Sequence, residues 1–250
     1  MKATFKDARL FRNIVGALSS FLEEADITAS TEGLKLRAMD LAHIAMVDFA
    51  CTKKMFETYD CPKDQVFRIN LGKLSKLLGR ANPGEALELF YDEESAKLKF
   101  ILTGASTKRF SVSTMPPEYQ KTPNPNAGTG AKVLITSKSF AELLGDSNAV
   151  AKEVLLTVTA DKLVAEAKDM DSVVVEKPIA AEVMEINVQA QGSVSAKYDI
   201  EYLSNIVGPG SSVSDLSTIE FSTDRPIKVS FMLPEGKLDY YLAPKVGKAE

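Results

Sequence analysis

FRNIVGALSSFLEEADITASTEGLKLRAMD, residues 11–40, is answered 129 positions later by FAELLGDSNAVAKEVLLTVTADKLVAEAKD, residues 140–169. No gap is needed. Phe11 meets Phe140, Gly16 meets Gly145, Glu24 meets Glu153, Thr28 meets Thr157, Leu34 meets Leu163 and Asp40 meets Asp169. Apolar positions follow suit, with Ile14 over Leu143, Val15 over Leu144 and Ile27 over Leu156. Further along, the same offset carries KLSKLLG at 73–79 onto YLSNIVG at 202–208. Two distant segments that share one offset mark a duplicated domain, and such self-similarity constrains a fold more than any single motif.

Periodicity supplies the contents of each half. Over residues 8–23, Phe11, Ile14, Val15, Leu18 and Leu22 recur at helical spacing and predict an amphipathic helix. Strands are expected at 25–29, at 34–38, where apolar and polar residues alternate, and at 44–51 and 66–70. A short helix over 72–80, with Leu74, Leu77 and Leu78 inward, should stop at Asn82-Pro83-Gly84, before strands near 86–91, 97–103 and 107–114. The second half repeats the order. It has a helix at 138–151, strands at 154–159, 162–168, 171–177 and 183–190, and a helix near 199–207 ended by Pro209-Gly210. Strands at 217–222, 227–233 and 238–243 complete it. PPEYQKTPNPNAGTG, residues 116–130, is proline-rich and aperiodic and reads as a connector. The expected class is α+β, with helices on one face of antiparallel sheets. The expected domains are 1–115 and 131–250, joined by 116–130.

The bulk numbers narrow the function. At 45% hydrophobic and 26% charged, the 250 residues are those of a globular protein. A net charge of -4 excludes a conventional basic DNA-binding domain, so any contact with nucleic acid must come from where charges stand. Cys51 and Cys61 are too few for a disulfide framework, and no Cys/His cluster that would hold zinc stands near them. No apolar run reaches the ~18 residues of a membrane span, and MKATFKDARLF lacks the apolar stretch of a signal peptide. An intracellular protein that needs no cofactor or metal and no membrane is expected.

Three further stretches carry a resemblance. Leu36-Arg37-Ala38-Met39-Asp40 with His43-Ile44-Ala45-Met46-Val47, the helix segment Asn70 to Leu78, and Tyr240-Tyr241-Leu242-Ala243-Pro244-Lys245 together resemble the proliferating cell nuclear antigen family, end to end and in order. The short tail and the linker suggest an archaeal member. The resemblance implies a non-catalytic DNA clamp. Two-domain subunits would close into a trimeric ring, of copies of itself or of paralogues, with sheets outside and helices lining the hole. It implies sequence-independent binding of duplex DNA, and DNA polymerase, clamp loader, flap endonuclease and DNA ligase as partners. An obligate hetero-oligomeric, checkpoint-like clamp is the second reading, and an enzyme acting on nucleic acid is a third.

Particular residues follow from it. Arg9, Arg12, Lys73, Lys76 and Arg80 stand on or beside the polar helix faces and would screen phosphate charge, Arg12 and Lys76 at positions the family keeps basic. The second-half helices offer little beyond Lys138 and Lys152. By resemblance, partners bearing a glutamine and aromatic anchors would dock beneath the connector, on Met39, His43, Ile44, Met46, Pro226, Tyr241, Ala243 and Pro244. His43, the one histidine, packs and hydrogen-bonds in this reading. Relatives carry apolar residues at the centre of the connector, where this chain has Thr122-Pro123-Asn124-Pro125-Asn126 and only Met115 and Tyr119 nearby. Subunits should join edge to edge through 108–115 and 171–179, rich in the β-formers Phe110, Val112, Val173, Val174 and Val175. No catalytic constellation competes: Asp92-Glu93-Glu94 is a turn, Asp169-Met170-Asp171 lacks further oxygen ligands, and Gly128-Thr129-Gly130 leads into no phosphate loop.

Overall fold

The computed structural model describes residues 1–119, 121–180, 182–189 and 192–245. In chain order the first half holds β1 (Lys2–Phe5), α1 (Ala8–Ser19), β2 (Glu24–Ser30), β3 (Gly33–Met39), β4 (Ala45–Thr52), β5 (Thr58–Asp60), β6 (Gln65–Asn70), α2 (Leu71–Leu78), β7 (Ala86–Asp92), β8 (Lys97–Thr103) and β9 (Thr107–Ser113). The second half holds β10 (Ala131–Thr136), α3 (Ser137–Asn148), β11 (Glu153–Val158), β12 (Lys162–Lys168), β13 (Ser172–Pro178), β14 (Val183–Val188), β15 (Val194–Asp199), α4 (Ile200–Gly210), β16 (Leu216–Phe221), β17 (Ile227–Leu233) and β18 (Gly236–Leu242).

Strand order repeats with chain order. The first half reads β5-β1-β7-β8-β9 and β4-β3-β2-β6, and the second reads β14-β10-β16-β17-β18 and β13-β12-β11-β15. The 129-residue shift carries α1 onto α3, β3 onto β12, β6 onto β15 and β9 onto β18, end residue for end residue. It carries helix caps too. Asp7 accepts from Arg9 N–H at 2.8 Å and its counterpart Thr136 from Ser139 N–H at 3.3 Å. Asn70 accepts from Lys73 N–H at 2.8 Å and its counterpart Asp199 from Tyr202 N–H at 3.2 Å. Each side chain satisfies an N–H that the first helical turn leaves without a partner.

Two compact units result. One comprises Met1–Leu41, Val47–Thr122 and Leu233–Leu238; the other comprises Ala42–Met46, Pro123–Met232 and Asp239–Glu250. In the first, α1 lies beside α2 and buries Phe11, Ile14, Val15 and Leu18. Phe5 packs on Phe11 at 5.2 Å and on Phe56 at 4.8 Å, and Phe67 stacks on Tyr91 at 4.2 Å. In the second, α3 lies beside α4, and Tyr198 meets Phe221 edge-on while its hydroxyl donates to Arg225 O at 2.7 Å. Buried aromatics supply large apolar area, and a tyrosine hydroxyl sent inward needs such an acceptor.

Four strands go beyond the periodicity: β1, β5, β10 and β15. β5 is the three residues Thr58-Tyr59-Asp60, and β15, VSAKYD, buries valine, alanine and tyrosine on one face with little β-branched signal. Three helix ends also differ by three residues or more, among them that of α3, which stops at Asn148 rather than 151. α1 stops at Ser19 rather than 23, because the Ser19 and Ser20 hydroxyls turn back to Gly16 O and Ala17 O and close the last turn. α4 runs through Pro209 to Gly210 rather than ending before them. The end is set where Gly210 meets the Phe231 ring: a Cβ there would lie 2.2 Å from a ring carbon, so only glycine fits.

Candidate functional site

The polar faces of the two helix pairs carry different charge on one frame. On α1, Arg9 is exposed but doubly held, with Nε and Nη2 each 2.6 Å from Asp7 Oδ2, so the N-cap carboxylate offsets much of its charge. Arg12 is half-buried and donates to Ala81 O at 3.3 Å, an uncharged partner that leaves its charge available. On α2, Lys73 and Lys76 are exposed, as is Arg80 beyond its end, and none is paired with a carboxylate among the described residues. On α3, exposed Lys138 lies 3.8 Å from Glu142, and Glu142, Gly145 and Asp146 are exposed with it. On α4 the exposed positions include Glu201 and Asn205. The offset places Asn205 where α2 has Lys76, and Tyr202 where it has Lys73.

Most residues of the expected docking surface fall in the second unit. Ala243 N–H donates to Ile44 O at 2.8 Å, which lays the chain after β18 beside residues 43–46. Lys245 continues the path, its N–H donating to Lys197 O at 2.7 Å and its ammonium 3.2 Å from Asp199. Pro226, Tyr241, Ala243 and Pro244 are half-buried, and Ile44 is 37% exposed. His43 sits at φ 57°, a left-handed conformation that turns the loop before β4. Met46 is only 2% exposed, so it backs this surface from inside and presents no side chain to a ligand. Met39 ends β3 in the first unit and is half-buried. Sequence reasoning passed over Leu41, which is 94% exposed; its signal was an apolar residue in a polar turn, between Asp40 and His43.

β9 and β13 are both edge strands. Val174 is 59% exposed and Val173 and Val175 are half-buried, whereas Val112 is buried and faces the core. Phe110 stacks on Phe100 at 5.0 Å. The edge at β9 is stiffened by Lys108, whose ammonium donates to Arg80 O at 2.8 Å and to Glu85 Oε2 at 2.9 Å. The Asn82 N–H, and then Lys108, hold the Glu85 carboxyl below its ordinary range. The counterparts of these two edges do have neighbours: within the first unit, Thr52 N–H at the end of β4 donates at 2.8 Å to Glu235 O, just ahead of β18.

Among the described residues no group of three or more His, Cys, Asp or Glu side chains could hold a metal. Cys51 is buried, which pushes its thiol up to about 11 and keeps it protonated and unreactive near neutral pH. No helix among the described residues is long and apolar enough to cross a membrane.

Residues 1–116 match the family described as "Proliferating cell nuclear antigen, N-terminal domain", and residues 125–246 match "Proliferating cell nuclear antigen, C-terminal domain". The chain is 33% identical over 246 residues to "DNA polymerase sliding clamp 1" of Pyrobaculum aerophilum, covering 97% of each chain. It is 28% identical over 235 residues to "DNA polymerase sliding clamp" of Nitrosopumilus maritimus, covering 93% of each. Its fold is similar to a crystal structure of PCNA from Thermococcus kodakaraensis, with a TM-score of 0.92 at 20% identity over 98% of this chain and 99% of that one.

Proposed function

The chain belongs to the proliferating cell nuclear antigen family, and from that premise we propose that it is a DNA sliding clamp subunit, three of which close a ring around duplex DNA and tether DNA polymerase to it. In this reading residues 1–115 and 131–250 are the clamp domains and 116–130 connects them. The clamp works by enclosure and docking, with no chemistry of its own. The carrying observation is the family match to both halves of a duplicated frame. The edges β9 and β13 add to it: among the described residues, each lacks the kind of neighbour that their counterparts β18 and β4 have. An unpaired edge invites another chain, and a strand pair between copies would satisfy both at once.

Lys73, Lys76, Arg80 and Arg12 would face phosphates, with Arg9 secondary because Asp7 occupies it. Backbone contacts of this kind hold DNA without reading sequence. Pro226, Tyr241, Ala243, Pro244, Ile44 and His43 would receive the docking segments of partners, with Met39 contributing and Met46 as backing. Clamp loader, flap endonuclease and DNA ligase are proposed as further partners. The test is mass in solution by light scattering: three chains' mass for the purified protein is expected, and a monomer that assembles only with paralogues would replace the homotrimer by a hetero-oligomeric ring. Docking is tested with a synthetic peptide bearing a glutamine and two aromatic anchors. Tyr241→Ala or Ile44→Arg should weaken its binding by about 2 kcal/mol, as central anchors do, without altering the mass. Unchanged affinity in both variants would place docking elsewhere.

A further inference from the structure

We propose that Asp26 and Arg68 form a charged latch that fastens the start of the connector, at Glu118 and Tyr119, onto strand β2 and pre-organises it for docking. The consequence for docking rests on the reading above; the latch itself does not. One carboxylate does most of the fastening. Asp26 Oδ2 accepts the backbone N–H of Glu118 at 3.0 Å and of Tyr119 at 2.9 Å. Its other oxygen lies 3.3 Å from Arg68 Nη1, and that same nitrogen lies 3.0 Å from Glu118 Oε2. Arg68 is also bound through its backbone, which exchanges both hydrogen bonds with Met115, at 3.2 and 2.8 Å. Arg68 and Asp26 side chains are only 13% and 18% exposed, so their attraction is little screened, whereas Glu118 is 56% exposed and adds less. Tyr119 is held at φ 51°, a conformation that a non-glycine residue adopts only when its surroundings impose it. Tyr119 helps line a cleft of about 250 Å³ against β2, β3 and β6, with Arg37, Arg68 and Thr122 also at its walls.

The duplication separates this latch from ordinary sheet structure. Arg68 also contacts Glu24, at 3.3 Å, and the 129-residue shift repeats that pair as Lys197 with Glu153 at 3.7 Å. The path after the last strand repeats as well: Met115 bonds β6 in the first half as Lys245 bonds β15 in the second. Asp26, which faces Arg68 across the ladder, does not repeat. Its counterpart is Leu155, opposite Lys197 in the same register that sets Asp26 opposite Arg68. The extra carboxylate stands in the half that leads into the connector; one oxygen holds the connector backbone and the other holds Arg68.

The experiment is backbone hydrogen exchange on the full chain, read at Glu118 and Tyr119 and, as a control, across β3. Asp26→Ala should speed exchange at Glu118 and Tyr119 about tenfold or more, the scale of losing a charged hydrogen bond. Glu118→Gln should change it far less. Wild-type rates in Asp26→Ala, or equal effects of the two variants, would overturn the latch. If Asp26→Ala loosens β3 as well, Asp26→Asn decides. Faster exchange at Glu118 and Tyr119 with β3 unchanged supports the latch, and any other pattern overturns it. The anchored peptide described above should bind Asp26→Ala several-fold more weakly, because the variant must order the connector on binding. Faster exchange with unchanged peptide affinity would overturn the pre-organising role. A peptide that fails to bind even the wild type would sink the docking reading and leave the exchange result standing.

Discussion

α1 with α2 and α3 with α4 are the same two helices built twice, with matched caps and a shared 129-residue register, yet they present opposite electrostatics. The first pair shows Lys73, Lys76 and Arg80 without carboxylate partners among the described residues, whereas the second shows Glu142, Asp146 and Glu201, and pairs Lys138 with Glu142. Core positions have stayed apolar in both because burial constrains them. Solvent-facing positions were free to diverge, and what they diverged toward is informative about what each half touches. The same contrast separates Asp26 from Leu155 and the edge strands from their bonded counterparts.

The largest effect is expected at the edges. Proline at Phe110 in β9 or Val174 in β13 removes a ladder donor, and both variants should run as monomers by light scattering. Rings of full mass from both would mean that the two halves do not meet through these strands. Next comes the charge contrast. Lys76→Ala or Arg12→Ala should reduce retention of loaded ring on open-ended DNA, each lost phosphate contact lowering the salt slope by about 0.9, while Lys138→Ala changes little. Asn205→Lys, which restores on α4 the charge that α2 carries, should raise retention. Equal losses from Lys138→Ala and Lys76→Ala would break the comparison. The smallest effect is acid sensitivity. Asp7, Glu85, Asp92 and Glu93 in the first unit are held below their ordinary range, chiefly by hydrogen bonds from Arg9, Asn82, Lys99 and Lys63 respectively, and in the second Asp161 and Glu182 are so held. A carboxyl depressed in the folded state stabilises above its unfolded pKa, and that stabilisation is lost as pH falls through the folded value. Below about pH 4.5, exchange protection should therefore fall earlier in the first unit, and Glu85→Gln should flatten the acid response around β9. Simultaneous loss in both units would show that they titrate as one.

How much of this could be read without coordinates depends on what each signal is made of. The duplication, the four helices and most of the strands were legible, because burial imposes periods of about 3.6 and 2 on side chains, and two copies of one pattern reinforce each other. β15 could have been found the same way, since the shift from Val66–Asn70 lands on it and VSAKYD alternates apolar with polar residues. β1 and β5 are too short for period to speak.

Lys73, Lys76 and Lys138 could be named from the helical pattern alone. That Lys138 is paired, that Asp7 occupies Arg9, that Met46 and Val112 point inward and that Leu41 points out are consequences of side-chain direction and of neighbours distant in sequence. The latch is of that second kind. Asp26, Arg68 and Glu118 are scattered through the chain and share no motif; only the pairing of β2 with β6 and the return of the chain past Met115 bring their charges within 3.3 Å. Local propensity and burial are written along a sequence because each residue carries its own share of them. Charge pairing is a property of distances, and distances between remote residues exist only once the chain has folded.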